Sequence, residues 1–151
     1  MTRIEFTVLG RPASKGSGRA ILVKGRAIHV PSASDKNRRE LTSWDTAVRE
    51  AALRVVNGSE APPFVGTPLA VHLVFRLVRP AGHWGKNGLR PSAPVFPVTK
   101  PDAEKLVRGT LDPLIGILFD DDSRIVRQLV EKVYAAPGTE GATIVVEELL
   151  A

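Results

Sequence analysis

Apolar and polar positions alternate over Ile4–Leu9, with Ile4, Phe6 and Val8 on one side, which is the period of a half-buried strand. Further along, Leu41, Trp44, Ala47, Val48, Ala51, Ala52 and Val55 recur at steps of three and four. That spacing predicts an amphipathic helix, capped by Ser34 or Asp35, running to about Val56 and stopped by Asn57-Gly58. Trp44 lies on its apolar face and is expected in the core. Leu69–Val78, LAVHLVFRLV, reads as a largely apolar strand. A second helix opens at Pro101 or Asp102, with Leu106, Val107, Thr110, Leu111, Leu114 and Ile115 on one face. Pro113 has no N–H to donate to the Gly109 carbonyl and its ring crowds that residue, so this helix kinks, or ends near Leu111 with Asp112-Pro113 starting a new turn. Arg124–Ala135 fits a strand or a short helix. Its β-branched residues and the following PGTEG turn favour a strand, paired with Ala142–Leu149 as a hairpin. These elements predict one α+β domain over residues 1–151: a small mixed sheet of Ile4–Leu9, Leu69–Val78, Arg124–Ala135 and Ala142–Leu149, packed against two helices.

Two segments show no core-forming pattern. Gly10–Arg26, GRPASKGSGRAILVKGR, is rich in glycine and cations, Lys15 and Arg19 among them, with a short hairpin expected around Ala20–Val23. Arg79–Thr99 holds four prolines and three glycines. A loop that long inside a compact domain is usually functional or disordered. It carries Arg79, Lys86 and Arg90 around His83 and Trp84, a mixture that grips a nucleic-acid strand by charge and stacking. The plainer alternative is that Trp84 tucks onto the body.

Composition narrows the classes. The chain has 151 residues, 43% of them apolar and 25% charged, enough for one hydrophobic core. No apolar run approaches the ~18–20 residues that span a bilayer. MTRIEFTVLGRP lacks a signal-peptide pattern, and the absence of cysteine removes disulfides and thiolate metal sites. The expectation is a cytoplasmic protein without a membrane partner or a small-molecule cofactor. The net charge of +5 hides a segregation. Met1–Arg39 has nine Lys/Arg against two acids, and Ala61–Pro101 five against none. From Asp102 onward there are ten acids and five bases. Two basic stretches point to a polyanion partner; a basic surface kept for solubility is the alternative, and segregation of the acids argues against it.

The acids themselves fall in KPDAEKLVRGTLDPLIGILFDDDSRIVRQLVEK, residues 100–132. Asp102 and Glu104 stand where an extended approach turns into a helix, and Asp120, Asp121 and Asp122 follow that helix. Singly, each group has an ordinary explanation: acids in a first helical turn complement the dipole, and an acidic run is usually a solvated turn. Jointly, the returning helix is expected to let the second cluster meet the first. Clustered carboxylates in a basic frame call for a hard cation, most often Mg²⁺ with Mn²⁺ as a substitute, and metal-assisted phosphodiester hydrolysis needs that arrangement. Asp112 reads as a cap. Lys100, Lys105, Arg108 and Lys132 flank the acids and could hold a phosphate or simply pair with carboxylates. His29, His72 and His83 show no ligand spacing.

At these residues the chain resembles the RusA family of Holliday-junction resolvases, many of them encoded by phages and prophages. The family's KPDxDN, helix, LDAL, DD and strand lysine stand here as Lys100-Pro101-Asp102-Ala103-Glu104-Lys105, Leu111-Asp112-Pro113-Leu114, Asp121-Asp122 and Lys132. The RPSAP before KPD and the N-terminal PASKG also look like phage-type members. The resemblance implies a metal-dependent endodeoxyribonuclease that cuts four-way DNA junctions as a homodimer. Asp102 matches the first essential acid, Glu104 takes the place of the second and Asp122 matches the third, with Asp121 beside it. Arg108 stands where the family has a functional lysine. The catalytic set implied is Asp102, Glu104, Asp122 and Arg108, and the metal set Asp102, Glu104, Asp121 and Asp122. DNA would be held by Lys15, Arg19, Arg79, Lys86, Arg90, Lys100, Lys105 and Lys132. Departures at Glu104 and Arg108 support one alternative, a catalytically weak or inactive branched-DNA-binding protein; a nuclease with broader flap and fork preference is another.

Overall fold

A computed structural model describes residues 2–16, 19–30 and 35–150, and at 19, 20, 29, 30 and 35 the backbone alone. In chain order the elements are β1 (Arg3–Leu9), β2 (Arg19–Val23), β3 (Arg26–Val30), α1 (Asp35–Val55), β4 (Leu69–Leu77), β5 (Trp84–Gly85), β6 (Gly88–Leu89), α2 (Ala103–Leu111), β7 (Ile125–Tyr134) and β8 (Gly141–Glu148). Ser34, one expected cap of α1, lies outside the described residues. The far end of α1 closes as its sequence predicts. Asn57 and Gly58 both have positive φ, and the Gly58 N–H donates to the Leu53 carbonyl at 2.9 Å.

The main sheet has the order β1-β8-β4-β7. β8 runs antiparallel to both β1 and β4, while β7 is parallel to β4. The expected hairpin between the last two strands is therefore not formed, because β4 lies between them. Strand chemistry accounts for this. β4 buries Leu69, Val71, Leu73, Phe75 and Leu77 and suits an inner position. β7 carries Arg127, Gln128, Glu131 and Lys132, and such charges are tolerated at a sheet edge. Parallel pairing in turn demands a crossover, which α2 supplies. β2 and β3 form a separate hairpin around Lys24-Gly25, both at positive φ, so the expected hairpin in the N-terminal basic segment is present.

Both helices cover one face of the sheet. Trp44 is 1% exposed, and its indole Nε1 donates to the Thr110 hydroxyl at 3.0 Å. That hydroxyl donates onward to the Leu106 carbonyl at 2.8 Å, which satisfies a fully buried polar group. α2 ends at Leu111, and Asp112–Leu114 forms the new 3₁₀ turn that Pro113 requires. Residues 10–16 lie across α2 because Gly109 has no side chain: a Cβ there would sit 2.5 Å from the Ala13 carbonyl oxygen. The Lys15 N–H then reaches the Lys105 carbonyl at 3.0 Å. Among the described residues, no helix is long and apolar enough to cross a membrane.

Candidate active site

Lys132 sits on β7 opposite Phe75 of β4, near the end where both strands finish. Its ammonium donates to the carbonyls of Thr99 and Pro101, at 3.0 and 2.9 Å. This fixes the approach to α2 immediately before Asp102. Asp102 has extended backbone (φ −69°, ψ 139°) and its carbonyl accepts the Leu106 N–H at 3.1 Å, so it starts the helix as a cap residue should. Its carboxylate makes no capping hydrogen bond. An aspartate at this position ordinarily turns its side chain onto the N2 or N3 amide. Here the oxygens stay at the surface, with Lys105 Nζ 3.5 Å away.

Asp102 borders an open cleft of about 540 Å³ lined also by Ser14, Gly16, Asn37, Lys100, Pro101 and Lys105. A second cleft of about 330 Å³ shares Ser14, Asn37 and Pro101 and adds Arg11 and Lys36. Lys100 and Lys105 thus share the acid's cleft, and Arg11 and Lys36 line the neighbouring one. Arg11, Ser14, Lys36 and Asn37 were not singled out in the sequence, although Arg11 and Lys36 belong to the basic N-terminal stretch and Ser14 to PASKG. Glu104 is 78% exposed and pairs with Arg108 at 2.8 Å. Exposed ion pairs of this kind contribute at most about 1 kcal/mol, so an incoming phosphate or cation opens them at little cost.

The second acidic cluster has a different character. Asp120 accepts both Nε and Nη2 of Arg124, the latter at 2.8 Å, and the Gly66 N–H at 3.3 Å. The Arg124 hydrogen bonds, aided by Gly66, hold its carboxyl down at about 2. Asp121 caps the 3₁₀ turn Asp122–Arg124 by accepting the Ser123 N–H at 2.8 Å, and that bond lowers its pKa. Asp122 is exposed.

These acids lie at the start of β7, and Asp102 lies at its finish. A ten-residue strand at about 3.3 Å per residue is roughly 30 Å long, whereas oxygens around one Mg²⁺ lie about 2 Å from the ion. Among the described residues, no three of His, Cys, Asp or Glu stand together as a metal group. The expectation that the second cluster meets the first is corrected within one chain. Parallel pairing is the reason: β7 must begin where β4 begins, so α2 carries the chain away from Asp102 to the far end of the sheet. The four-acid ligand set is not assembled by a single copy. Asp102 and Glu104 are hard oxygen donors of the class Mg²⁺ takes, one or two carboxylates beside several waters and substrate phosphate.

The cations expected to bind DNA divide by partner. Lys86 is exposed at the tip of the β5–β6 hairpin and Lys100 at the cleft, neither with a partner among the described residues. Lys15 pairs with Asp112 at 2.5 Å, and Asp112, read as a cap, closes α2 as its C-terminal cap residue with its N–H on the Arg108 carbonyl. Arg79 packs 4.2 Å over the Tyr134 ring and donates to the Pro94 carbonyl at 2.7 Å. It anchors the long loop onto the body. Arg90 donates to the Trp84 carbonyl at 3.1 Å and braces the same hairpin, leaving Trp84 37% exposed. The side chain of Arg19 lies outside the described residues.

Residues 14–146 match the family model "Endodeoxyribonuclease RusA". The chain is 25% identical over 140 residues to the "Uncharacterized protein YqaN" of Bacillus subtilis (strain 168), covering 89% of this chain and 90% of that one. A crystal structure of the protein Atu1372, of unknown function, from Agrobacterium tumefaciens aligns over 88% of this chain and 74% of its own. With 12% identity and a TM-score of 0.33, that likeness bears on neither fold nor function. With a family match running from the PASKG loop through the acid pair to the last strand, this chain belongs to the RusA endodeoxyribonuclease family.

Proposed function

We propose that this protein is a divalent-metal-dependent endonuclease that resolves four-way DNA junctions, working as a two-fold homodimer. The observation that carries this is Asp102: an acid at a helix start, unused as a cap, at the mouth of a cleft lined by cations. Asp102 and Glu104 are the residues that would hold Mg²⁺, or Mn²⁺ in its place. An ion held there would supply activation of a water and charge stabilisation at the leaving oxygen of the phosphodiester. Lys100 and Lys105 draw the backbone phosphate into the cleft, and Arg108 swings from Glu104 onto it. Lys132 acts as a positioning residue, since its ammonium holds the segment that presents Asp102. Lys15, Lys86 and Arg90 lie along the arms of the junction.

Homodimerisation has two supports. A four-way junction has approximate two-fold symmetry, and paired nicks require two sites related in the same way. Asp121 and Asp122 also stand a strand's length from Asp102, so a site drawing on both groups takes them from different copies. The decisive test is cleavage of a synthetic four-way junction with and without Mg²⁺. Asp102→Asn should lose cleavage by orders of magnitude while binding the junction at least as tightly, one repelling charge having gone. Wild-type nicking by a correctly folded Asp102→Asn protein would overturn the assignment. Junction binding with no cleavage by the wild type would identify a DNA-binding protein on this fold.

A further inference from the structure

We propose that the free edge of β7 is the surface on which two copies of this chain meet, antiparallel, with Leu129 on the two-fold axis. The inference rests on the homodimer reading and supplies the surface that reading lacks. Among the described residues, β7 is an outermost strand, bonded through its ladder only to β4. No backbone hydrogen bond from its other side to a loop or turn occurs among the described residues. Ten residues without proline, with Val126 65% and Leu129 55% exposed, leave a row of unpaired donors and acceptors, a ready template for another strand.

Charge selects the partner and the register. Opposite Ala70, His72, Val74 and Arg76 of β4, the residues Arg127, Leu129, Glu131 and Val133 share one face of the sheet; Gln128, Val130, Lys132 and Tyr134 share the other. Two-fold antiparallel pairing extends the sheet and keeps its faces, so only residues of one face oppose each other. Centred on Leu129, the pairing sets Arg127 against Glu131 of the partner subunit, and Glu131 against the partner's Arg127. Centring on Arg127 or on Glu131 opposes like charges, and centring on Gln128 or Val130 sets Arg127 and Glu131 against apolar residues. The strand is self-complementary in one register. Glu131 already accepts His72 at 2.7 Å, and its second oxygen is available to a guanidinium. On the other face, Val126 comes opposite the partner's Lys132, the residue that holds Thr99, beside the exposed Val98 and Phe96. The same register lays the Asp121–Asp122 end of one β7 beside the Asp102 end of the other, the juxtaposition a shared site needs.

The test uses the full chain. In sedimentation velocity at low salt, Arg127→Glu should weaken the wild-type dimer about tenfold or more, as two attractive cross-strand pairs become repulsive. Adding Glu131→Arg to it should restore association. Because the chain has no cysteine, Leu129→Cys provides a single thiol. Residues facing each other across an antiparallel pair have Cα atoms about 4.5–5.5 Å apart, within disulfide range, so this variant should cross-link to itself on mild oxidation. Leu9→Cys, on the opposite edge strand β1, should not. A dimer that ignores Arg127→Glu and leaves Leu129→Cys uncross-linked overturns the surface while the homodimer stands. A wild-type monomer that nicks junctions overturns the homodimer itself.

Discussion

Lys132→Met separates the phosphate contact that the sequence allows this lysine from the main-chain clamp it forms in the structure. Methionine keeps an unbranched stem of similar length and removes only the ammonium. The sequence allows a phosphate contact, whereas in the structure the ammonium binds the carbonyls of Thr99 and Pro101. Hydrogen bonds from a charged donor contribute about 1.5–3 kcal/mol each when buried. These two are at or near the surface, where water replaces a lost donor, so the pair together should contribute about 1–2 kcal/mol. For a chain of this length, 1 kcal/mol moves the melting midpoint by about 2–4 °C, so Lys132→Met should melt about 2–8 °C lower.

The functional consequence follows from the chain direction. Pro101 is the residue before Asp102, so releasing its carbonyl frees the acid to wander over the cleft. Turnover on a four-way junction should fall at saturating DNA, and the Mg²⁺ concentration for half-maximal rate should rise. Junction affinity should fall little, and the slope of log K against log salt should not change. A lysine bound to a phosphate behaves otherwise: its loss reduces that slope by about 0.9 and leaves stability alone. Calorimetry and a binding titration at four or five salt concentrations decide between them. A slope reduced by about one at an unchanged melting temperature would refute the clamp and return Lys132 to the DNA surface.

Gly109→Ala gains up to about 1 kcal/mol of helix propensity, but its Cβ meets the Ala13 carbonyl oxygen at 2.5 Å, and overpacking of that sort costs about 1–3 kcal/mol. The net should be a lower melting temperature and faster proteolysis within residues 10–16. Trp44→Phe leaves the Thr110 hydroxyl without its indole donor and opens a void, so chemical denaturation should show a loss of about 2–3 kcal/mol. The depressed Asp120 carboxyl sets an acid limit. A folded-state pKa near 2, below the unfolded value of about 4, stabilises the fold above that value, and the contribution is lost as pH falls from about 4 to 2. Asp120→Asn should accordingly narrow the stability gap from wild type across that window, read by melting at successive pH values.

Much of the fold is legible because it depends on local periodicity. The strand alternation at Ile4, Phe6 and Val8, the seven-position stripe of α1 and the break at Pro113 each concern residues close in sequence, and each appears where the pattern places it. Strand order is not local. Arg124–Ala135 and Ala142–Leu149 look like hairpin partners because a turn joins them, yet which strand sits inside depends on how apolar β4 is relative to both. That one topological fact also governs the site. A hairpin sets β7 only against β8, while parallel pairing with β4 fixes its start at the end of the sheet away from Asp102.

The same limit explains how the charged residues divide. Sequence names the acid at the helix start, since a KPD junction is a local feature. It cannot tell a cation that faces solvent from one that holds a carbonyl. Lys86 and Lys132 read alike, but one tips a hairpin and the other grips two main-chain oxygens more than thirty residues away in the chain. Lys132 and Arg79 are each placed to hold the long loop in position: Lys132 at its exit toward Asp102, Arg79 at its entry against Tyr134. A loop without a core of its own is thus ordered from its two ends, and its order is what sets Asp102 at the cleft.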